Sequence, residues 1–139
     1  MGRVLAIDYG KKRVGIAVTD PCRIISNPLT TVLSNEILDF LEKYMKEETV
    51  DVIVVGHPKQ MDNSDSESMR YIKPFMKGLR RRFPDKEIEM YDERFTSVLA
   101  HKSLIESGAS KKTRQEKGLV DAISASIILT SWLDNKRYQ

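Results

Sequence analysis

Acidic side chains stand at three places where the sequence otherwise predicts a protein core. Asp8 ends the apolar run VLAI, Asp121 interrupts the apolar segment GLVDAISASIIL, and Asp92 and Glu93 end the strand-like segment EIEMYDE. An isolated ionised carboxylate in an apolar site costs several kcal/mol or shifts its pKa until it is neutral. A shared divalent cation removes this cost, and oxygen-rich anionic sites suit Mg²⁺ or Mn²⁺. The three places therefore predict a metal site, provided that folding brings them together.

Each acid also has an ordinary structural interpretation. Asp8 could accept hydrogen bonds from the backbone amides of the turn GKK, and Asp121 could pair with a lysine. Strand alternation places Asp92 and Glu93 on opposite sides of a strand, so either acid could point inward. The shared-metal interpretation is favoured because the acids occur at strand ends and on a core helix, and not at scattered surface positions.

Positive charge is concentrated where a polyanion could use it. The net charge is only +3, but the lysines and arginines form three clusters, at 11–13, 80–82 and 111–117. The first cluster, Lys11, Lys12 and Arg13, follows Asp8 directly, whereas the cluster at 80–82 is typical of a solvated helix end. Carboxylate-bound metal ions beside a phosphate-binding patch are the apparatus of phosphodiester hydrolysis. The pattern thus predicts that Asp8 is a metal ligand and that the cations after it receive the substrate.

The composition is that of a single ordinary domain. The chain has 139 residues, of which 40% are hydrophobic and 31% charged, values typical of a globular protein. No apolar run approaches the ~20 residues that cross a bilayer, and no signal peptide is evident. The single cysteine, Cys22, cannot form an internal disulfide and has no identifiable general base nearby. We therefore expect a cytoplasmic protein with one domain, residues 1–139.

The order of the predicted elements favours a mixed sheet with helices on its faces. Period-2 patterns and turn residues predict strands, and 3.6-residue periodicity predicts helices. Ser34 is predicted to cap the first helix, and Pro74 to kink or restart the second. The predicted strands cover 3–9, 13–19, 24–32 (at an edge, because of Pro28), 50–56 and 87–91, and the predicted helices cover 35–47, 67–83, 96–108 and 113–136, with a loop over 57–66.

The last helix carries its acid on an apolar line. At 3.6 residues per turn, Asp121, Ala125, Ile128 and Trp132 fall on one face. The small side chains of Ala122, Ser124, Ala125 and Ser126 predict that this helix approaches the sheet closely. Ligands of open α/β sheets gather at the carboxyl ends of parallel strands, so we expect the acids to meet at the edge of the sheet that these ends form.

Four segments together resemble the YqgF/RuvX family, whose members are described as Holliday junction resolvases and as nucleases that process pre-16S ribosomal RNA. These segments span nearly the whole chain and read AIDYGKKRVGIAVTD (6–20), VVGHP (54–58), DERFTSVLA (92–100) and KGLVDAISASIIL (117–129). The resemblance implies an α/β, ribonuclease H-like fold with a five-stranded mixed sheet flanked by helices on both faces. The loop after GHP departs from the family pattern, since it reads KQMDNSDSES where glycines are usual.

The resemblance also implies the identity of the site residues. The acidic triad of the family falls on Asp8, Glu93 and Asp121, as catalytic residues and as ligands of Mg²⁺ or Mn²⁺. The substrate-binding cations fall on the cluster that follows Asp8 and on one further arginine, namely Lys11, Lys12, Arg13 and Arg94. The implied activity is a metal-dependent endonuclease on structured nucleic acid, processing the 5′ end of pre-16S rRNA or, alternatively, resolving Holliday junctions. We expect a monomer or weak homodimer that binds nucleic acid and no membrane.

Two further functions have some support from the residues. DYGKKRVGIAVTD resembles the first phosphate loop of actin-like ATPases and sugar kinases, but those proteins need a second lobe for which 139 residues leave no room. A non-catalytic nucleic-acid-binding module would account for the basic clusters alone.

The remaining aromatic and histidine residues favour ordinary structural interpretations. Trp132 and Phe95 are predicted to pack and not to stack on bases. His101 is predicted to lie on a helix surface, and His57 is a candidate for substrate contact only because its loop is near the proposed site.

Overall fold

The computed structural model describes residues 2–57, 69–92 and 117–137. The elements of these ranges are, in chain order, β1 (Arg3–Tyr9), β2 (Arg13–Thr19), β3 (Ser26–Leu33), α1 (Ile37–Glu47), β4 (Val50–His57), α2 (Met69–Arg82), β5 (Glu87–Asp92) and α3 (Lys117–Arg137). The five predicted strands and three of the predicted helices are confirmed, with small differences at their ends. The predicted helix over 96–108 and most of the predicted loop over 57–66 lie outside the described ranges.

The strands form one mixed sheet in the order β3-β2-β1-β4-β5. β1 pairs antiparallel with β2, and β2 with β3, whereas β4 runs parallel to both β1 and β5. The first hairpin closes through the Gly10 amide, which donates to the Arg13 carbonyl over 2.9 Å. The parallel strands need long crossovers, and α1 and α2 fall within them. The carboxyl ends of β1, β4 and β5 consequently lie at one edge of the sheet.

Helices cover both faces of the sheet, as predicted. α1 and α2 pack on one face over large aliphatic side chains such as Leu5, Ile7 and Ile53. α3 packs on the other face, where the strands present smaller residues such as Ala6, Ala17 and Val54. Alternate residues of β1 therefore belong to two different cores.

α3 lies unusually close to β2. A Cβ built on Gly15 would lie 2.0 Å from the Asp121 carbonyl oxygen, a separation that no side chain could occupy. On the helix side, Ala122 and Ala125 are buried against the sheet. The predicted close approach is confirmed, and the glycine on the strand is what permits it.

The prediction that Ser34 caps α1 is wrong. The helix begins at Ile37, with Glu36 at the N-cap position and no side-chain cap. The Ser34 hydroxyl instead donates to the Lys11 carbonyl over 2.7 Å, and its amide donates to the Lys12 carbonyl over 2.9 Å. The serine thus braces the basic turn between β1 and β2, and is not available to the helix.

One predicted bound shifts, and one predicted helix restart does not occur. β3 begins at Ser26, because the Asp20 carboxylate accepts the amides of Ile24 and Ile25 over 2.8 Å each and so removes them from pairing. It lies at the sheet edge, where Pro28 is tolerated. α2 does not restart at Pro74 but runs through it.

None of the helices within residues 2–57, 69–92 and 117–137 combines the length and apolarity that crossing a membrane requires.

Candidate active site

Asp8 lies near the carboxyl end of β1, on the face covered by α3. Its neighbours Ile7 and Tyr9 pack toward α1 and α2, whereas Ala6 belongs to the core beneath α3. In the β1–β2 ladder Asp8 pairs with Gly15, the residue on which α3 rests. The buried strand therefore carries its carboxylate to the position where the helix backbone comes down onto Gly15.

Asp121 reaches the same position from the helix. Its backbone lies directly over Gly15. The other members of its helical line, Ala125, Ile128 and Trp132, are buried, which confirms the predicted apolar stripe and the packing role of the tryptophan. Two acids separated by more than a hundred residues are consequently neighbours across the Gly15 contact.

The electrostatics of Asp8 reflect this placement. Burial, and then the negative charge of Asp121, raise the pKa of Asp8 from 3.8 to about 6. Both causes disfavour the ionised carboxylate, so this position is unfavourable for an acid unless a cation is near. Such a perturbed acid at a strand end is typical of functional sites.

Arg13 lies beside the acids. Its Nε lies 3.3 Å from Asp121 Oδ2, with 40% of the arginine side chain and 28% of the aspartate side chain exposed. Asp121 is thus paired as its structural interpretation required, although with an arginine and not with a lysine. The Gly10 amide, one donor that the structural interpretation gave to Asp8, instead closes the turn on the Arg13 carbonyl.

The other cations of the turn point elsewhere. Lys12 is exposed, and Lys11 Nζ lies 5.6 Å from the centroid of the Tyr71 ring, on the α2 side of the sheet. Within the cluster at 80–82, Arg82 pairs with Asp39 and Glu42 of α1, which fits the predicted structural role of that cluster. The turn therefore distributes its charges over both faces of the sheet.

The remaining predicted site residues lie outside the described ranges. They are Glu93 and Arg94. The predictions for Phe95, His101 and the basic residues at 111–116 also fall outside these ranges. β5 lies two strands from β1 and ends at Asp92. Asp92 pairs with His57 of β4, at the edge where the carboxyl ends of the parallel strands lie. Within residues 2–57, 69–92 and 117–137, no group of three His, Cys, Asp or Glu residues could hold a metal ion. This part of the chain contributes two acids to the site.

Tyr91 shows which face of β5 meets α3. It packs on the α3 core, and its hydroxyl lies 2.5 Å from Ser131 Oγ. In β3, the outermost strand at the opposite end of the strand order, the Ser26 hydroxyl donates to the Ser126 carbonyl over 2.8 Å. α3 is therefore tied to strands on both sides of β1, which holds Asp121 in place.

Sequence reasoning missed Gly15 as a site-forming residue. The available signal was a glycine within the strand pattern VGIAV, which indicates a bulge or a close backbone approach. What approaches it could not be read from the strand alone.

Comparison with known proteins agrees with this geometry. Residues 2–135 match the model of the family described as RuvX: Holliday junction resolvase. The chain belongs to the RuvX family. A RuvX relative from Phocaeicola vulgatus is 58% identical over 138 residues, covering 99% of both chains, and one from Bacteroides fragilis is 56% identical over 137 residues, also covering 99% of both. Both carry provisional names as pre-16S rRNA nucleases.

A solved structure extends the comparison to the fold. The T. thermophilus RuvC structure, in complex with a Holliday junction substrate, superposes with a TM-score of 0.62 at 11% identity, covering 96% of this chain and 97% of that one. At that identity the likeness concerns the fold. The predicted ribonuclease H-like arrangement of this RuvX chain is thereby confirmed.

Proposed function

We propose that this RuvX protein is a divalent-metal-dependent endonuclease that hydrolyses phosphodiester bonds in structured nucleic acid, with the 5′ end of pre-16S rRNA as its substrate. The observation that carries the proposal is the meeting of Asp8 and Asp121 at the Gly15 contact, beside the basic turn. The names of the relatives from two organisms support the choice of a ribosomal RNA precursor.

The residues present suit a divalent cation. Asp8 is a partly buried carboxyl group whose pKa is raised by burial and by Asp121, so a bound cation would relieve both penalties. Carboxylate oxygens are the ligands of Mg²⁺ and Mn²⁺, which we propose as the cofactor. Asp8 and Asp121 would hold the metal, with Glu93 as the third acid.

The roles of the residues follow from their positions. Metal ions bound at such a site would polarise the phosphodiester and lower the pKa of an attacking water. Asp8, fixed in a buried strand, orients the site, and Asp121 completes it from the helix. Arg13, partly exposed beside Asp121, contacts the phosphate oxygens together with Lys12 and Arg94. In the free protein Arg13 offsets part of the charge of Asp121.

A second candidate substrate has an observation in its favour. The matching family model is described as a Holliday junction resolvase, so a four-way DNA junction is the alternative for the same metal site. The acids and the turn would serve either substrate, because both reactions cleave a phosphodiester bond.

The experiment offers both substrates to the purified protein with Mg²⁺ or Mn²⁺. We expect cleavage of a 16S precursor end and its loss in Asp8→Asn. Asp85→Asn is the matched control, because Asp85 is exposed in the turn before β5, at the opposite edge of the sheet. Cleavage of the junction alone would assign the alternative substrate. Retention of every activity by Asp8→Asn would instead support a non-catalytic binding module.

The organisation of the chain is part of the proposal. The described elements contribute to one sheet with helices on both faces, which supports one nuclease domain over residues 1–139. We propose a cytoplasmic protein that acts as a monomer or weak homodimer, and light scattering across a concentration series tests the oligomeric state.

A further inference from the structure

A cavity of about 390 Å³ opens on the face of the sheet opposite the acids. It lies between the end of β1 and the helices α1 and α2, and the proposed hydrolysis makes no use of it. Its size is in the range of sites that accept small ring systems. The described residues around it include Tyr9, Ser34, Asn35, Tyr71 and Phe75.

Aromatic rings form much of this cavity. The rings of Tyr9 and Phe75 are stacked with their centroids 4.3 Å apart, and Phe75 is buried. Tyr71 differs from them because 41% of it is exposed at the cavity. Core packing explains the stacking of half-buried Tyr9 on buried Phe75, but it does not require a large exposed ring beside them. Ser34 and Asn35 add hydrogen-bonding groups to the same cavity.

A cation lies over the exposed ring. Lys11 Nζ lies 5.6 Å from the centroid of the Tyr71 ring. The backbone of Lys11 is held by Ser34, whose hydroxyl donates to the Lys11 carbonyl over 2.7 Å. An exposed aromatic ring and an ammonium group on a side chain whose backbone is held in place are the two features that bind single-stranded nucleic acid, one for a base and one for its phosphate.

The cavity is connected to the acids through a single strand. Asp8 and Tyr9 are consecutive in β1, so their side chains project from opposite faces. The turn that carries Lys11 and Lys12 begins directly after them. Lys11 lies at Tyr71 on the α2 side of the sheet, whereas Arg13 at the end of the turn pairs with Asp121 on the other side. A nucleic-acid strand with its scissile phosphate at Asp8 can therefore follow the turn and place a neighbouring nucleotide at Tyr71.

We infer that this cavity is a subsite for an unpaired nucleobase of the nucleic-acid substrate, with the base stacked on Tyr71 and its phosphate facing Lys11. The inference rests on the proposed nuclease function and gives the substrate a specific feature. A nucleotide close to the cleaved bond must leave the duplex to enter the cavity, so a fully paired substrate is bound less tightly.

The test measures binding separately from cleavage. RNA duplexes that carry the fluorescent base 2-aminopurine, either unpaired at successive positions near the cleaved bond or fully paired, are titrated with the Asp8→Asn protein. We expect one unpaired position to be quenched on binding and that RNA to bind about tenfold more tightly than the paired one, as stacking of one base allows. Absence of quenching at every position overturns the inference without any further variant.

Variants of Tyr71 in the same background locate the subsite. Tyr71→Ala should lose both the quenching and the tenfold preference, whereas Tyr71→Phe, which keeps the ring, should retain them. Tyr44→Ala is the control, because this half-buried tyrosine of α1 stacks on Phe40 and does not line the cavity. An equal loss of affinity for paired and unpaired RNA in Tyr71→Ala would overturn the inference.

A parallel cleavage assay separates this inference from the proposed function. If the unmutated protein cleaves its substrate but Tyr71→Ala binds like the Asp8→Asn parent, the subsite is wrong and the nuclease stands. If the unmutated protein does not cleave, the proposed function fails first.

Discussion

The two faces of the sheet are built differently although the same strands supply both. Under α1 and α2 the strands present Leu5, Ile7 and Ile53, and the helices are held by large buried side chains. Under α3 they present Ala6 and Ala17, and the helix backbone comes down onto Gly15. The first face gains apolar burial in proportion to side-chain size. On the second face the side chains are smaller, so less apolar volume is buried, but the backbone of α3 can approach β2 closely.

The difference explains where the acids lie. A carboxylate on the α1/α2 face would be surrounded by large aliphatic groups, whereas on the α3 face Asp8 meets a helix whose first described turns bring in Asp121. The α3 face should therefore position the acids, whereas the α1/α2 face should mainly stabilise the fold, and substitutions on each face can distinguish the two roles.

The largest effect on activity is expected from Gly15→Ala, at the contact between β2 and the backbone of α3. The new Cβ would meet the Asp121 carbonyl oxygen at 2.0 Å, so α3 must move and take Asp121 with it. We expect cleavage to fall by more than about 100-fold, the upper end for residues that only support metal ligands. The free energy of unfolding should fall by about 3 kcal/mol, as for severe overpacking. Cleavage assays and urea titration measure the two losses.

Gly78→Ala is the matched control for that substitution. A Cβ on Gly78 would contact Leu38 Cδ1 at 3.5 Å, an ordinary van der Waals distance. Because Gly78 lies inside α2, alanine should raise the free energy of unfolding by about 0.5–1 kcal/mol. Full activity in Gly15→Ala would refute the close approach of α3.

Leu79→Ala tests the opposite face. Leu79 is fully buried in the core beneath α1 and α2, and its truncation should lower the free energy of unfolding by about 2–5 kcal/mol. Because this core does not touch the acids, the cleavage rate of the folded protein should stay unchanged. Chemical unfolding and initial rates measured well below the melting temperature decide this. A selective loss of rate would mean that both faces position the site.

The pH dependence of stability should report the cost of Asp8. Because the pKa of Asp8 is raised from 3.8 to about 6 in the folded protein, the folded state binds this proton more tightly than the unfolded state. In EDTA the free energy of unfolding should therefore fall by about 3 kcal/mol as the pH rises from about 4 to about 6, and this contribution should be constant above that.

Asp8→Asn isolates this contribution. The variant lacks the titrating group, so its stability relative to the unmutated protein should increase across the same pH range, as measured by urea titration at each pH. A constant difference between the two proteins from pH 4 to pH 7 would contradict the raised pKa.

The smallest effect is expected at the contact between α3 and the edge strand β3. Ser26→Ala removes the hydrogen bond from the Ser26 hydroxyl to the Ser126 carbonyl, which should cost about 1 kcal/mol of unfolding free energy. Thermal melts detect such a change. Because the Gly15 contact remains, activity should persist, and a large loss of cleavage would show that this edge sets the position of Asp121.

Much of the fold could be predicted because local patterns decide it. The run VDVIVVG predicts a buried strand wherever it pairs, and it forms β4, an interior strand between β1 and β5. The errors arise where a side chain bonds to a distant or unexpected backbone group. Ser34 binds the turn after β1 instead of its own helix, and Asp20 takes the amides of Ile24 and Ile25.

The site was predictable in its residue types but not in its contacts. Asp8 and Asp121 stand out because their neighbours are apolar. The pairing of Arg13 with Asp121, however, depends on the register that sets β2 beneath α3. Gly15 acquires its role only when the helix is placed on it. The third acid of the triad, Glu93, stays a prediction.

Diffraction from a crystal soaked in Mn²⁺ tests the central claim most directly, since the metal is located by its anomalous scattering. We expect a peak bound by the carboxylates of Asp8 and Asp121, and no such peak in Asp8→Asn crystals soaked in the same way. Carboxylate oxygens more than about 10 Å apart, too far for ions about 4 Å apart to bridge, would contradict it. So would manganese bound only elsewhere in a protein that cleaves nucleic acid with that metal.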